Sequence, residues 1–378
     1  MTKFNMLSIA KKLLLKIIPC VAVVFFSATV FAGMISLEKE IELGRKTGEQ
    51  LEAQYGVVAD KALQKRVDRI GQRLARVCGR DEIKFSFKVL NSKEINALAC
   101  PGGFVYVFKG LIDYMPSDTE LAGVLGHEVG HVAKKHTVHS IEKNMWSSLG
   151  AILVGVASGS MEGMQAAMVG MTALQSGFSR TDERGADKEG VNNTVAAGFN
   201  PYAMLITAHK LEDLQAEQQT PNYGLFNSHP EPEERIKRVL SQIAKLKVTP
   251  NVIENNERSV TVQDGKWTHD INIGIGNTKP LYRGYMLAGS MWVIKRQTGG
   301  VINPSGFYVV ENGSRATIYY GDTEVYTCYN ADGRGAGIYA RELTTKLRNW
   351  ANLVNSGAIS TPLPDEDKKS KKKDKKKK

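Results

Sequence analysis

The sequence predicts an α+β fold: a mostly helical domain that holds a short β-sheet, followed by a small β-rich domain. Three observations predict it. Segments with helical periodicity and recognisable caps crowd the chain before about residue 250. Beyond that point the texture changes to short β-prone runs separated by Gly and Asn. At His127-Glu128-Val129-Gly130-His131, an H-E-x-x-H spacing falls inside an apolar helical stretch.

In chain order, residues 1–32 read as a secretory signal peptide. Lys3, Lys11, Lys12 and Lys16 precede an apolar run over 17–32, and Val30-Phe31-Ala32 leads to a cleavage point before Gly33. An uncleaved signal anchor is the alternative. Export places the remaining protein outside the cytoplasm, in a periplasm. Cys78, Cys100 and Cys328 follow the signal, and an odd count cannot pair fully within one chain. Cys78 with Cys100 could bridge, or both could be buried thiols.

Residues 33–250 form the first domain. Pro101-Gly102-Gly103 is a turn signal, and residues 104–108 alternate like a strand. Ser117 and Asp118 can cap the next helix, with Glu120 completing a capping box. Leu121, Val124, Leu125, Val129, Val132 and Ala133 supply its apolar face. His127 and His131 are four apart, so both imidazoles can reach one metal ion. Glu128 sits one step round, where its carboxylate can address a water. A catalytic zinc takes three protein ligands plus water. A metzincin third His would fall at Thr137, so that pattern fails. His136, nine residues beyond His127, lies on the opposite face of a continuous helix and reads as a structural hydrogen-bonding His. His139 reads as solvated or capping the helix end. A second helix starts at Ser179 and runs to about Gly198, with Glu183 and Asp187 on one face. One carboxylate could bind zinc while the other accepts a ligand's ring N–H. An exposed acidic helix start fits the same residues.

Residues 145–178 are apolar and small-residue-rich. They read as two buried or membrane-surface helices rather than a transmembrane hairpin. Residues 203–217 read as an amphipathic helix, 218–230 as a polar linker carrying His229, and Pro232 opens a helix through Lys245. Over 256–357 the β-prone runs are 260–262, 271–275, 291–294, 307–310 and 317–320, before a helix at 340–354. No repeat is visible. His269 is isolated and expected to be exposed. Residues 358–378 form a Lys-rich tail that will not fold alone.

The net charge of +11 is concentrated at the ends. Residues 1–32 carry four Lys and no acids, and 365–378 carry nine Lys against four acids, leaving about +2 for the rest. The basic balance therefore gives no reason to expect a nucleic-acid partner. The tail could still bind anionic headgroups at a membrane surface.

Four ordered motifs carry a resemblance to a known family. Residues 127–131, followed by Glu183-x-x-Ala186-Asp187, resemble the HtpX-like zinc metallopeptidases (the M-forty-eight family, gluzincin type). The segment Asn96 through Val107, the motif His229-Pro230-x-x-x-x-Arg235-Ile236 and the opening Glu38 through Arg45 resemble the same family. The match covers about residues 36–246. It implies a zincin-like domain with one Zn2+ per chain, bound by His127, His131 and Glu183, and Glu128 as general base. Asp187 and Arg235 would support the ligands. His229 would steady the oxyanion or cover the zinc in a latent state. Gly102, Gly103 and Phe104 would line an edge strand that pairs with substrate backbone. The implied activity is zinc-dependent endoproteolysis of unfolded or misassembled envelope polypeptides, with outer-membrane or membrane-surface association. The alternative is a periplasmic chaperone or assembly factor with a latent protease site. Gly185 departs from the larger residue that the family often has. The role of the β-rich domain stays open, recruitment of clients being one reading.

Overall fold

The computed structural model describes residues 35–147, 163–175, 177–217 and 232–359. The expected signal peptide, residues 148–162 of the expected apolar helix pair and the linker with His229 therefore lie outside the described residues. The expected tail does too from residue 360 on, whereas Ile359 is buried in the core.

Ser36 starts α1 (Leu37–Tyr55) by accepting from Lys39 N, and Asp60 starts α2 (Lys61–Ala75) by accepting from Ala62 N and Leu63 N. Next come β1 (Ser86–Leu90), β2 (Ala97–Ala99) and β3 (Phe104–Phe108), in the sheet order β1-β3-β2. β3 runs parallel to β1 and antiparallel to β2, with Ser86 opposite Phe104 and Leu98 opposite Tyr106. The strand expected at a substrate-facing edge is thus the central one. Its main chain is used on both sides, and β2 is the outer strand.

After α3 (Lys109–Tyr114), the capping box of Ser117 and Glu120 opens α4 (Asp118–Ala133). Every residue of α4 from Glu120 to Val132 is buried, so this helix runs through the core instead of along its surface. It ends where Lys135 adopts φ 57°. α5 (His136–Ser147) then starts afresh. The expected continuous helix is broken, so His136 does not point away from His127. α6 (Gly163–Gln175) and α7 (Arg180–Ala196) follow, and the reciprocal Ser179–Asp182 pair caps α7. α8 (Ala203–Glu217) matches the expected span but not the expected character. Residues 203–208 are all buried, so it presents no single apolar stripe. α9 (Pro232–Lys245) opens at the expected proline.

The remaining chain builds two antiparallel three-stranded meanders. β4 (Asn251–Asn256), β5 (Ser259–Asp264) and β6 (Trp267–Ile271) form one. α10 (Pro280–Gln297) then leads to β7 (Phe307–Asn312), β8 (Arg315–Tyr320) and β9 (Thr323–Tyr329), and α11 (Ala336–Asn355) follows. Two expectations fail here. Residues 291–294 are helical, because α10 is buried on nearly every side and its core-facing Met, Trp, Val and Ile imitate a strand. β6 stops at Ile271, short of 275.

One apolar cluster packs Val67, Ile70 and Leu74 of α2, the three-stranded sheet and α4 together. Another runs from Met204, Leu205 and Val239 through Trp267, Met291 and Ile318 to Trp350, joining α8 and α9 to the β-rich part. Glu120 and Lys210, both fully buried, form an ion pair at 2.5 Å, and Lys210 Nζ also reaches Asn277 Oδ1 at 2.9 Å. His269 is buried and meets the Tyr339 hydroxyl at 3.1 Å, correcting the expectation of exposure. Cys78, Cys100 and Cys328 are free thiols. Among the described residues, no helix is long and apolar enough to cross a membrane.

Candidate metal centre

Two helices bring the chemistry together because glycine lets them touch. A Cβ on Gly130 would stand 2.7 Å from the Ala186 carbonyl oxygen. Only hydrogen there lets α4 and α7 approach closely enough for side chains of both to meet. His127 and His131 project from α4 and Glu183 from α7. The His127 Nε2–His131 Nε2 distance is 3.0 Å. Glu183 Oε2 lies 3.4 Å from His127 Nε2, and its Oε1 lies 3.3 Å from His131 Nε2. All three residues are buried, and one ligand atom from each falls within 4.8 Å of the others. Metal–ligand bonds of about 2.0–2.1 Å at tetrahedral angles place neighbouring donors about 3.3 Å apart. The two imidazoles and one carboxylate fit a small tetrahedral cation.

The other ring nitrogens decide which way the imidazoles face. His127 Nδ1 lies 3.1 Å from Asp187 Oδ1. With Nε2 turned to the cluster, Nδ1 carries the proton and donates it to Asp187. Arg235 of α9 donates to the same oxygen from Nη2 at 2.8 Å and from Nε at 3.1 Å. Arg238 adds a longer contact, 3.6 Å from Asp187 Oδ2. Burial alone would raise the Asp187 carboxyl, but Arg235 and then His127 hold it well below the ordinary range. Burial and Arg235 oppose charge on His127, yet Glu183 and Asp187 outweigh them and carry it up to about 9.

His131 is held from the other side. Its Nδ1 lies 3.0 Å from His136 Nδ1, and the His131 ring stacks on Phe178 at 3.9 Å between centroids. His131 Nδ1–H donates, so His136 accepts at Nδ1 and turns its own N–H towards Asp182 Oδ1, 3.8 Å from Nε2. Burial pushes His136 down to about 4, which keeps it neutral for that role. Gly185 now has a reason. A Cβ there would come within 3.2 Å of His136 Cε1, so the larger residue common in the family would crowd this ring.

Glu128 is buried beside the two ligands. Burial first, and then the Glu128 charge, push up the thiol of Cys100, which lies just after β2. The Glu128 charge is thus felt at the end of β2. Thr137 Oγ1 donates to the Ala99 carbonyl there at 2.9 Å.

The structure gathers His127, Glu128, His131, Glu183, Asp187 and Arg235 in one place. It does not bring Gly102, Gly103 and Phe104 to an open edge. Gly102 has φ 67°, its N–H donates to Glu40 Oε1 at 3.2 Å, and a Cβ would meet Ile41 Cα at 2.6 Å. Gly103 is buried as well, and Phe104 begins the central strand. These residues seat α1 on the sheet. His229 lies outside the described residues. Sequence reasoning missed Phe178 and Arg238. Arg238, three residues after Arg235, was recoverable from helical spacing. Phe178 left no signal, because its contact depends on the turn before α7. A cleft of about 1180 Å³ lies elsewhere, at the opposite end of α4, lined by Ser117, Asp118 and Glu120 and not by the histidines.

Residues 61–243 match the model of Peptidase family M48. The beta-barrel assembly-enhancing protease of Escherichia coli (strain K12) is 28% identical over 237 residues, covering 59% of this chain and 47% of that protein. Metalloprotease LoiP of the same organism is 31% identical over 166 residues, covering 42% of this chain and 63% of LoiP. Mitochondrial metalloendopeptidase OMA1 of Arabidopsis thaliana is 30% identical over 182 residues, covering 48% and 36%. The chain spans about half the length of the assembly-enhancing protease it matches.

Proposed function

We propose that this chain, whose residues 61–243 match the Peptidase family M48 model, is a zinc-dependent metalloendopeptidase of envelope polypeptides. The observation that carries this reading is the tetrahedral spacing of His127, His131 and Glu183, 3.0–3.4 Å apart, with Glu128 next to them on the same helix. The donor chemistry suits one zinc ion per chain. When bound, the ion supplies Lewis acidity towards a water and the scissile carbonyl.

The protein's own groups do the rest. Glu128 takes the proton of the attacking water and later delivers it to the leaving amine. Asp187, kept ionised by Arg235, holds the His127 ring in the ligating tautomer, and His136 does the same for His131. Extended substrate backbone would lie along β2, the outer strand beside α4, in place of the residues expected from sequence. His229 would approach the centre from the linker before α9, either steadying the oxyanion or covering the site at rest.

The basic, apolar N-terminal segment supports export to the periplasm, and the Lys-rich tail supports association with an anionic membrane surface. A relative named for assembly of β-barrels supports unfolded or misassembled envelope proteins as substrates. The test is cleavage of casein by the purified, zinc-loaded chain. Glu128→Gln should retain the metal and lose about 10²–10⁴ in rate. Glu183→Ala should lose most of the metal. Undiminished cleavage by Glu128→Gln, or one zinc per chain in Glu183→Ala, would sink the proposal.

A further inference from the structure

A second candidate site lies away from the metal cluster. The cleft of about 1180 Å³ is bounded by α2 and the start of α4 on one side and by the β7-β8-β9 sheet on the other. Asp118, at its wall, and His127 are nine residues apart on α4, or about 14 Å along the axis.

Arg66, Arg69 and Arg73 recur at helical spacing, so they share one face of α2. Arg66 Nε and Arg69 Nη2 divide a single carboxylate, Asp118, at 2.7 and 2.5 Å. Arg73 has no carboxylate within ion-pair distance among the described residues. Its Nη2 donates to the Ala197 carbonyl at 2.7 Å, and its guanidinium lies 4.2 Å from the centre of the Phe199 ring. On the facing wall, alternation sends Phe307, Ala316, Ile318 and Cys328 into the core. Tyr308, Val310, Arg315, Thr317 and Tyr319 are left on the cleft side. Tyr308 and Tyr319 are paired across the strands and stack at 5.6 Å. Arg315, exposed at the β7–β8 turn, has no ion pair among the described residues.

The acids of the cleft do not neutralise this. Arg283 is committed to Asp332 and Lys210 to Glu120. That leaves four guanidinium groups facing Asp118, Asp322 and Glu324. Burial and then the Asp118 charge push Glu324 up to about 7, so it gives less than a full negative charge at neutral pH. The cleft therefore offers tyrosine faces and unspent positive charge. β7 lies at the outer side of its sheet, with no strand beyond it among the described residues. A segment entering here can pair its main chain along β7 beyond Phe307, whose carbonyl already accepts from Arg348 Nη2 at 2.9 Å, while its side chains meet tyrosine and arginine.

We propose that this cleft binds an extended, carboxylate-rich polypeptide segment, separately from the peptidase centre. Nucleic acid fits less well. Away from its two ends the chain carries only about +2, little for a ligand with a charge on every nucleotide. The inference goes beyond peptide hydrolysis and is read by binding alone.

The probe is a fluorescein-labelled peptide of alternating Glu and Tyr, titrated by anisotropy against the full chain. Arg315→Glu and Tyr308→Ser change exposed side chains outside the core, and circular dichroism checks that each variant is folded. Arg315→Glu is expected to weaken binding about tenfold or more, as for a lost charge-assisted contact. Tyr308→Ser is expected to weaken it severalfold, and a Gln-for-Glu peptide should bind poorly. Affinity unchanged in both variants overturns the proposal. Equal binding of the Gln peptide overturns the charge argument. Displacement by a short single-stranded oligonucleotide at lower concentration than by unlabelled peptide overturns the choice of ligand.

Discussion

Asp187→Asn tests the support beneath the proposed metal ligands. The substitution keeps shape and one acceptor oxygen but removes the charge. Arg235, only 3% exposed, would then keep Glu183 as its remaining carboxylate, 3.9 Å away. Breaking a buried pair from one side costs about 3–5 kcal/mol, because a charge is left uncompensated. Glu183 compensates in part, so the lower end, about 3 kcal/mol, is expected. For a chain of 378 residues that is a fall in thermal midpoint of about 4 °C. Zinc affinity should drop about 10–100-fold, since the Nδ1 proton of His127 loses its anionic acceptor. Differential scanning calorimetry of the metal-free protein and competition with a zinc chelator measure the two separately. The double variant Asp187→Asn/Arg235→Gln should be less destabilised than the sum of the single changes, because the stranded charge is gone. The depressed Asp187 pKa adds a sign: its stabilisation is present above its unfolded value, about 3.9, and fades as pH falls below that. A midpoint within about 1 °C of wild type, together with unchanged zinc affinity, would refute this role for Asp187.

Gly130→Ala should destabilise the protein by about 1–3 kcal/mol, since its Cβ meets backbone that cannot swing aside; the helix-propensity gain of about 1 kcal/mol is smaller. Chemical denaturation and zinc titration should both register the wider helix spacing. Gly185→Ala adds a Cβ 3.2 Å from His136, which can yield by a few tenths of an ångström. Stability should change by less than about 1 kcal/mol, while zinc dissociates faster in a stopped-flow chelator assay. Glu324 binds its proton more tightly folded than unfolded, about 7 against an ordinary value near 4.3. Stability should therefore fall as pH rises across that window and level off above it, by on the order of 1 kcal/mol after screening in the open cleft. Glu324→Gln should flatten that slope in melts from pH 5 to pH 8, a span of about three units around the shifted group.

The parts written locally were legible in the sequence. Ser117 and Glu120 announce the start of α4, and the i, i+4 spacing places His127 with His131 and Glu183 with Asp187. What stayed hidden depends on partners far along the chain. Residues 104–108 alternate as a strand should, but their central place follows from pairing with β1 and β2, which no local pattern encodes. Residues 291–294 look β-prone because a helix buried all round loses its polar stripe. Pro280 at its start and Lys295-Arg296 in its last turn were the cues that mattered. His136 was placed on the wrong side because a lysine, not a glycine, takes the left-handed turn at 135.

That turn has a mechanical consequence. His136 is the first residue of α5, and it grips the imidazole of His131 across the break. Tilting α5 about this joint would tug the ring out of line, so a load on α5 would also change how His131 sits beside His127 and Glu183. Lys135, in its left-handed conformation, would then be the pivot of a short lever whose near arm ends on His131.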